Sequence, residues 1–270
     1  MIGLRDIHKK FNPDTHNEVY ALRGVSLDIA DGEFVTIIGT NGSGKSTLLN
    51  VLAGTVTPDS GAVLLKGKDV TRQKDFERAK QIARVFQNPF MGTAPDMTIA
   101  ENLLIASLRG RRHHLRMGLS ASRRTFFAGQ VQRLEMQLED RLDNIIGSLS
   151  GGQRQAVSLL MAVIQKPDVL LLDEHTAALD PKSAAQIIRL TKAFVESERL
   201  TTFMVTHSMQ QALDLGGRTL MMHQGRIIDD IPAAEKARLS PDDLLDKFAQ
   251  LRKTEKLTDA MLEQLRREYR

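Results

Sequence analysis

A glycine-rich stretch has the residue types and the spacing of a phosphate-binding loop. Gly39-Thr-Asn-Gly-Ser-Gly-Lys-Ser46 fits the P-loop pattern of two glycines that flank four residues, followed by Lys-Ser. Glycines let the backbone turn tightly and direct successive N–H groups at phosphate oxygens. Lys45 is predicted to reach the β- and γ-phosphates, and Ser46 to offer its hydroxyl to Mg²⁺. The residues predicted to bind nucleotide here are Gly39, Thr40, Asn41, Gly42, Ser43, Gly44, Lys45, Ser46 and Thr47.

Two acidic residues end an apolar stretch farther along the chain. Val169 to Leu172 have no polar face, which is typical of a strand buried on both sides of a parallel sheet. Asp173 at the carboxyl end of this strand is predicted to hold Mg²⁺ through water, and Glu174 to polarise an attacking water. The pair alone would also suit a helix-capping turn, but the P-loop upstream favours a nucleotide site.

The elements around these residues alternate between strand and helix. Residues 34–38 are predicted to form a buried strand before the glycine-rich loop, and residues 46–53 a helix after it. His207 follows another apolar strand, at residues 202–206. A polar residue at the carboxyl end of such a strand faces the ligand crevice of an α/β sheet. A lone histidine there is more often an ordinary turn residue, and only the neighbouring motifs favour contact with a γ-phosphate.

A second phosphate-binding pattern lies at residues 149–153. Ser150-Gly-Gly-Gln153 precedes an apolar run at residues 156–164, which predicts a helix start with Ser150 as its cap and glycines that expose backbone donors. Such a helix start is an anion site. Because the P-loop already accounts for phosphates, the residues alone indicate a second phosphate site without a ligand.

The order of these motifs resembles the nucleotide-binding subunit of an ABC transporter over about residues 1–235. Residues 39–46 resemble its Walker A loop, and residues 169–174 its Walker B motif with the catalytic glutamate. Gln87 resembles the Q-loop glutamine, and residues 149–153 the signature motif. Residues 178–180 resemble the D-loop, and His207 resembles the switch histidine.

The resemblance implies an ATPase that uses ATP and Mg²⁺. It implies that the Gln87 amide senses Mg²⁺ and the attacking water, and that the metal residues are Ser46, Gln87 and Asp173. Phe11 stands where the family places an aromatic ring on adenine, with Tyr20 as the alternative. The implied catalytic residues are Glu174, His207, Lys45 and Gln87. The implied nucleotide contacts from the signature motif and the D-loop are Ser150, Gly151, Gly152, Gln153 and Asp180.

The resemblance also implies an architecture. We expect a P-loop NTPase (RecA-like) α/β core with an inserted helical subdomain and a short C-terminal helical extension. The ATPase domain would span residues 1–235, with the core at about 1–87 and 154–235 and the helical subdomain at about 88–153. Residues 236–270 would form the extension, which contains two apolar stripes at helical spacing. It would pack on the core or on a partner subunit. The stripes are Leu244, Leu245, Phe248 and Leu251, and then Leu257, Met261, Leu262 and Leu265.

Composition limits the setting in which this chain works. The chain has 270 residues, 41% of them hydrophobic, and no cysteine, which suits a reducing compartment. It has no apolar run of the roughly 18–20 residues that cross a bilayer, and it begins with a strand-like segment instead of a signal peptide. A transport pore is therefore expected on another chain.

The family resemblance implies several partners at the cytoplasmic face of the cell membrane. A second copy would bind head to tail, with each signature motif closing over the ATP held by the other copy. An integral membrane permease would place a short helix in a groove near Gln87, where Phe90, Met91 and Met97 are candidate contacts or core residues. An extracytoplasmic substrate-binding protein would complete the system.

The helical segment is rich in arginine and has no Asp or Glu from Asn102 to Leu134. This pattern suits acidic lipid headgroups, nucleic acid or a solvated loop. Nucleic acid is disfavoured because the net charge of the chain is only +4. The arginines are Arg109, Arg111, Arg112, Arg116, Arg123, Arg124 and Arg133.

The sequence therefore predicts an ATP-hydrolysing subunit that powers a separate permease, with import of amino acids or a similar small solute as the expected task. One alternative is a soluble ABC ATPase that acts on nucleic acid or the ribosome. Those relatives usually carry two cassettes or long coiled-coil arms, and the sequence shows neither pattern. A small-molecule P-loop kinase is the other alternative, and it would leave residues 149–153 unexplained.

Overall fold

The computed structural model describes residues 1–110 and 118–255. The strands are β1 (Ile2–Phe11), β2 (Val19–Ile29), β3 (Phe34–Gly39), β4 (Ser60–Leu65), β5 (Lys68–Asp69), β6 (Ile82–Val85), β7 (Val169–Asp173), β8 (Thr201–Val205), β9 (Arg218–His223) and β10 (Arg226–Pro232). The helices are α1 (Lys45–Ala53), α2 (Asp75–Arg78), α3 (Ile99–Ser107), α4 (Ala121–Gln132), α5 (Gly151–Val163), α6 (Pro181–Glu198), α7 (Met209–Asp214), α8 (Ala233–Lys236) and α9 (Pro241–Glu255), and a 3-10 turn covers Ile146–Ser148.

The chain divides into two compact units. The first contains residues 1–52, 56–71 and 203 onward, and the second contains residues 53–55 and 72–202. The first unit has an antiparallel sheet in the order β2-β1-β4-β5. It also has strands in the order β10-β9-β3-β8, in which β3 and β9 run parallel. The glycine-rich loop and His207 therefore belong to this unit, at the ends of β3 and β8.

The strand before the glycine-rich loop is buried because its sequence is apolar on both faces. Val35, Ile37 and Ile38 are fully buried. The one hydroxyl among them, on Thr36, lies 2.8 Å from that of Thr219 and is therefore hydrogen-bonded. This arrangement fixes the end of β3, from which the loop leads into α1.

The C-terminal helix α9 packs on the core of the first unit. Ser240 and Asp243 cap its start: the carboxylate accepts from the Ser240 N–H at 2.7 Å, and the Ser240 hydroxyl accepts from the Asp243 N–H at 3.3 Å. Leu244 and Phe248 are buried in one cluster with core residues, which is one of the two arrangements expected for the extension. The predicted second stripe, from Leu257 to Leu265, lies outside the described residues. The core residues of this cluster are Ile38, Met209, Ala212, Met221 and Ile231.

The second unit surrounds the strand that ends in the acidic pair. In it, β6 and β7 run parallel, with Arg84 opposite Leu171. Helix α5 packs against α3, α4, α6 and β6. Residues 88–153 contain α3, α4 and the 3-10 turn, as well as an isolated bridge between Thr98 and Ile145.

Within residues 1–110 and 118–255, no helix is both long enough and apolar enough to cross a bilayer.

Candidate nucleotide-binding site

The glycine-rich loop joins β3 to α1, and its glycines are required by close approach of other chain segments. A Cβ on Gly39 would collide with the carbonyl oxygen of Met222 and lie 2.7 Å from Ser43 Oγ. Gly44 has a φ of +99°, and a Cβ there would collide with the carbonyl oxygen of Ala21. Side chains at these positions would therefore force the loop out of its turn.

The polar groups of the loop fit a ligand that carries phosphates. Lys45 is buried, and its ammonium donates to the carbonyl oxygens of Gly39 at 2.6 Å and Thr40 at 3.1 Å. The Ser43 hydroxyl is buried and makes no hydrogen bond within the described residues. At Gly42, a Cβ would meet no atom within 4 Å. The loop therefore holds the Lys45 ammonium in place. The Ser43 hydroxyl can donate to a ligand, and there is open space beside Gly42.

His207 stands on a fixed turn of the same unit. The N–H of Thr206 donates to the Ile37 carbonyl at 3.2 Å, which brings the end of β8 beside the strand that leads into the loop. The Thr206 hydroxyl donates to Gln211 at 2.8 Å and accepts from the Ser208 N–H at 3.1 Å. Ser208 then caps α7. Residues on both sides of His207 are thus held by hydrogen bonds.

A second histidine, which the sequence analysis did not select, also lies beside the loop. His223 is buried at the end of β9, and its Nδ1 lies 3.4 Å from the hydroxyl of Thr40. Two residues on, the Gly225 N–H donates to the Ser43 carbonyl at 3.0 Å. His223 lies at the carboxyl end of a strand, and this is the same signal that identified His207.

The two candidate rings for adenine point to opposite faces of the hairpin formed by β1 and β2. Lys10 pairs with Tyr20 and Phe11 with Val19, so adjacent residues of β1 place the two rings on different faces. The Tyr20 hydroxyl lies 2.5 Å from His8 Nδ1 and its ring lies under a guanidinium, that of Arg23, at 4.8 Å. The Phe11 ring also faces a cation, the ammonium of Lys9 at 5.6 Å, so the hydrogen bond of the Tyr20 hydroxyl is the difference that favours Phe11.

The acidic pair ends β7 in the second unit. Asp173 accepts a hydrogen bond from Arg84 at 2.6 Å, a contact that the sequence analysis did not anticipate. The signal for it was a charged residue inside the otherwise apolar strand β6. Glu174 has a φ of +48°, a conformation that costs a residue with a side chain roughly 1–3 kcal/mol. Strain of this kind concentrates at functional sites.

The start of α5 has the predicted cap. The Ser150 hydroxyl accepts from the Gln153 N–H at 3.3 Å, and the Gln153 side chain accepts from the Ser150 N–H at 3.2 Å. Gly152 is buried, and a Cβ there would lie 2.7 Å from Ser183 Oγ on α6. Gly151 is exposed, and a Cβ there would make only an ordinary contact with Leu179 at 3.6 Å. Helix packing therefore requires glycine at position 152, whereas it does not require glycine at position 151.

Asp180 has a structural task in this chain. Its carboxylate caps α6 by accepting from the Ser183 N–H at 3.0 Å, and Pro181 occupies the first position of the helix. Hydrogen bonds from Ser183 hold the pKa of this carboxyl below its ordinary value. Contact of Asp180 with nucleotide stays a prediction.

Gln87 is exposed and follows a backbone segment that is anchored to α5. The carbonyl of Phe86 accepts from the Gln155 amide at 3.2 Å. A cavity of about 350 Å³ lies beside this contact. Side-chain oxygens of two of its wall residues, Gln155 and Ser158, make no hydrogen bond within the described residues. Other wall residues are Arg84, Phe86, Met91, Ile105 and Arg109.

The three predicted permease contacts differ in exposure. Phe90 and Met91 are exposed, whereas Met97 is half-buried. The ring of Phe90 lies 3.8 Å from the guanidinium of Arg154, which is buried. Phe90 and Met91 therefore suit a surface contact better than the core role considered for them.

The described arginines of the basic segment form hydrogen bonds within the chain. Arg109 donates to the Ala162 carbonyl at 2.8 Å, and Arg123 to the Gly118 carbonyl at 2.7 Å. Two others form ion pairs, Arg124 with Asp143 at 2.8 Å and Arg133 with Glu198 at 3.4 Å. Arg111, Arg112 and Arg116 lie outside the described residues. These bonds weaken the expectation of an uncompensated basic surface.

Comparisons with known proteins show the family of this chain. The family model for ABC transporters matches residues 22–177. A tyrosine transport ATP-binding protein of Clostridioides difficile is 40% identical over 249 residues, which cover 92% of this chain and 98% of that protein. The energy-coupling factor transporter ATP-binding protein EcfA1 of Streptococcus sanguinis is 31% identical, over 90% of this chain and 83% of that protein.

A solved structure has the same fold. The dimeric structure of a post-hydrolysis state of the ATP-binding cassette MJ0796, bound to ADP and Pi, has a TM-score of 0.73 and 30% identity, and the match covers 86% of this chain and 99% of that one. The predicted α/β P-loop NTPase fold is therefore confirmed. The chain belongs to the ABC transporter ATP-binding family and is an ATP-hydrolysing transporter subunit that uses ATP and Mg²⁺.

Proposed function

We propose that the chain powers the import of an amino acid or a similar small solute through a separate membrane permease, at the cytoplasmic face of the membrane. The observation that carries this proposal is the relative named for tyrosine transport, at 40% identity over nearly the full length of both chains. Other relatives carry import names, among them a probable sulfate/thiosulfate protein of Chlorella vulgaris at 37% identity. These names favour transport over action on nucleic acid.

The proposed site assigns phosphate binding to the loop at residues 39–47. Lys45 already lies inside this loop, and the Ser43 hydroxyl is available to donate to a phosphate oxygen. Ser46, Asp173 and Gln87 are the proposed metal residues, and oxygen donors are what Mg²⁺ prefers. The metal, when bound, would neutralise phosphate charge.

Hydrolysis is assigned to Glu174 and His207. Glu174 would orient and polarise the attacking water, which in phosphoryl transfer is mainly a matter of position. His207 would hold the water and the γ-phosphate from its hydrogen-bonded turn. Phe11 is proposed as the ring that stacks on adenine.

A second copy of the chain is the proposed dimer partner. The Ser150 hydroxyl caps α5 by accepting a hydrogen bond, which leaves its proton and the N–H groups of the exposed helix start for a phosphate. In a head-to-tail pair, residues 150–153 and Asp180 of each copy would meet the nucleotide of the other. A structural neighbour is itself a dimer.

The permease is proposed to dock at the cavity beside Gln87. Its wall is largely apolar, with exposed Met91 at the surface, and Phe90 stands next to it in sequence. The division into a core at about 1–87 and 154–235, a helical subdomain at about 88–153 and an extension at 236–270 is retained as part of this proposal. A substrate-binding protein outside the membrane would supply the solute.

Co-purification and uptake together test the proposal. The chain would be tagged in its native host, the membranes solubilised gently, and the bound proteins identified by mass spectrometry. A polytopic permease is expected, and its deletion should abolish uptake of one radiolabelled amino acid. Recovery only from the soluble fraction with ribosomes or DNA would overturn the transport proposal. Normal uptake of every amino acid in the deletion strain would exclude an amino acid as the solute.

A further inference from the structure

The carboxylate proposed to hold the metal is itself held by an arginine. Arg84 Nη2 donates to Asp173 Oδ2 at 2.6 Å. The two side chains are only 14% and 13% exposed, so solvent screens the pair weakly. None of the family motifs identified in the sequence includes Arg84.

The position of Arg84 follows from strand register. In the parallel pair of β6 and β7, Arg84 lies opposite Leu171, two residues before Asp173. Its guanidinium lies 4.8 Å from the ring of Phe86, which stands two residues on, just beyond the end of β6. The ring thus directs the guanidinium along β6 toward the carboxyl end of β7, where Asp173 stands.

We infer that Arg84 is a positioning residue for Asp173. The bond from Arg84 to Oδ2 fixes the plane in which the Asp173 carboxylate lies. Partners that orient metal-binding carboxylates typically matter about 10-fold to 100-fold in metal affinity. The inference rests on the proposed metal role of Asp173.

The test measures metal binding apart from turnover, with the full-length chain and ADP. Nucleotide affinity would be measured in EDTA with a fluorescent ADP, and Mn²⁺ affinity of the ADP-saturated chain by electron paramagnetic resonance. The Arg84→Met variant should bind Mn²⁺ about 10-fold to 100-fold more weakly, with unchanged ADP affinity in EDTA. Arg84→Lys, which keeps the charge but loses the planar fork, should recover part of the loss.

Matched variants separate this role from a structural one. Arg189→Met removes an exposed arginine whose carboxylate partner, Glu135, lies at 3.5 Å, and it should bind Mn²⁺ as the unchanged protein does. Thermal unfolding would check that each variant folds. If Arg84→Met does not fold, Arg84→Gln takes its place, with the same expected direction.

Two outcomes overturn the inference in distinguishable ways. If Asp173→Asn weakens Mn²⁺ binding while Arg84→Met leaves it unchanged or tightens it, Arg84 does not position the carboxylate. If Asp173→Asn itself leaves Mn²⁺ affinity unchanged, the proposed metal role of Asp173 fails and the inference fails with it.

Discussion

At the scale of single residues, Glu174 combines a proposed catalytic role with an unfavourable backbone conformation. Its φ of +48° places it in the left-handed region directly after the buried strand β7. A residue with a side chain persists there only where its surroundings fix it. The conformation turns the chain sharply, so that Glu174 leaves the strand direction that Asp173 follows.

Glu174→Gln should remove the general base and keep the shape of the site. We expect ATP turnover to fall by about 100-fold or more, while ATP-bound dimer accumulates because the cycle cannot reset. Phosphate release and size-exclusion chromatography measure the two effects. Glu135→Gln, a change of an exposed glutamate, is the control. Normal turnover in Glu174→Gln would contradict the assignment of the base.

A pair of matched substitutions tests which aromatic side chain stacks on adenine. Phe11→Ala should weaken ATP binding by roughly 5-fold to 150-fold, since stacking of a base on an aromatic ring contributes about 1–3 kcal/mol. Tyr20→Ala should have little effect, because its ring faces the other side of the hairpin. Competition with a fluorescent nucleotide measures both. The reverse result would assign the ring to Tyr20.

At the scale of elements, α5 and α6 meet so closely that only glycine fits between them. A Cβ on Gly152 would lie 2.7 Å from Ser183 Oγ and 2.8 Å from its Cβ. The same helix start carries the exposed Gly151, where a side chain has room. Packing therefore imposes glycine at position 152, whereas the proposed phosphate contact is the reason for glycine at position 151.

Gly152→Ala should destabilise the fold by roughly 1–3 kcal/mol, because the added methyl group must displace α6. Gly151→Ala should be nearly neutral for stability. Urea unfolding of the two variants beside the unchanged chain makes the comparison. Equal stability of the two variants would show that α6 moves away from the added methyl group with no loss in the free energy of unfolding.

A hydrogen bond of the His175 side chain connects the turn after Glu174 to α6. Its side chain is buried, and its Nε2 lies 3.0 Å from the Thr191 hydroxyl. That hydroxyl donates to the Ile187 carbonyl at 2.8 Å, so it must accept from Nε2–H. Nδ1 therefore carries the lone pair and makes no hydrogen bond within the described residues. Burial lowers the pKa of His175 from 6.5 to about 4.

The lowered pKa of His175 predicts that the free energy of unfolding depends on pH. Between pH 6.5 and about 4 the unfolded chain binds the proton and the folded chain does not, so the free energy of unfolding falls as pH falls. The loss should reach about 3 kcal/mol near pH 4. Urea unfolding across this window should show a flatter profile for His175→Gln than for His16→Gln, a change of an exposed histidine. Identical profiles would rule out His175 as the source.

At the scale of the whole molecule, the sequence motifs fall in two units of the chain. The glycine-rich loop and His207 belong to the first, and the acidic pair, Gln87 and residues 150–153 to the second. The proposed dimer predicts that the glycine-rich loop of one copy and the signature motif of the other, residues 149–153, contact the same nucleotide.

Mixed dimers test this claim. A Lys45→Ala chain and a Gly151→Asp chain should each be nearly inactive alone, the second because its carboxylate repels phosphate. Mixed one to one, they should recover up to about a quarter of normal turnover, since half of the pairs contain one intact composite site. Gly151 suits the test because a side chain there has room. No recovery on mixing would contradict the head-to-tail arrangement.

The sequence by itself determined the features that depend on short spacing. The glycine-rich loop, the capping pair of Ser150 and Gln153, and the buried strand before Asp173 are set by backbone geometry over a few residues, so their residue types identify them. The same motifs, in order, were sufficient to indicate the family and its use of ATP and Mg²⁺.

Only the tertiary structure decided which distant residues meet. The bond between Arg84 and Asp173 joins positions 89 apart in sequence, and it exists because β6 and β7 pair in one register. Register also places Phe11 and Tyr20 on opposite faces, and the contact of α5 with α6 explains Gly152. Pairing and helix contact depend on the whole fold, because a shift of one residue in a strand turns every side chain to the other face.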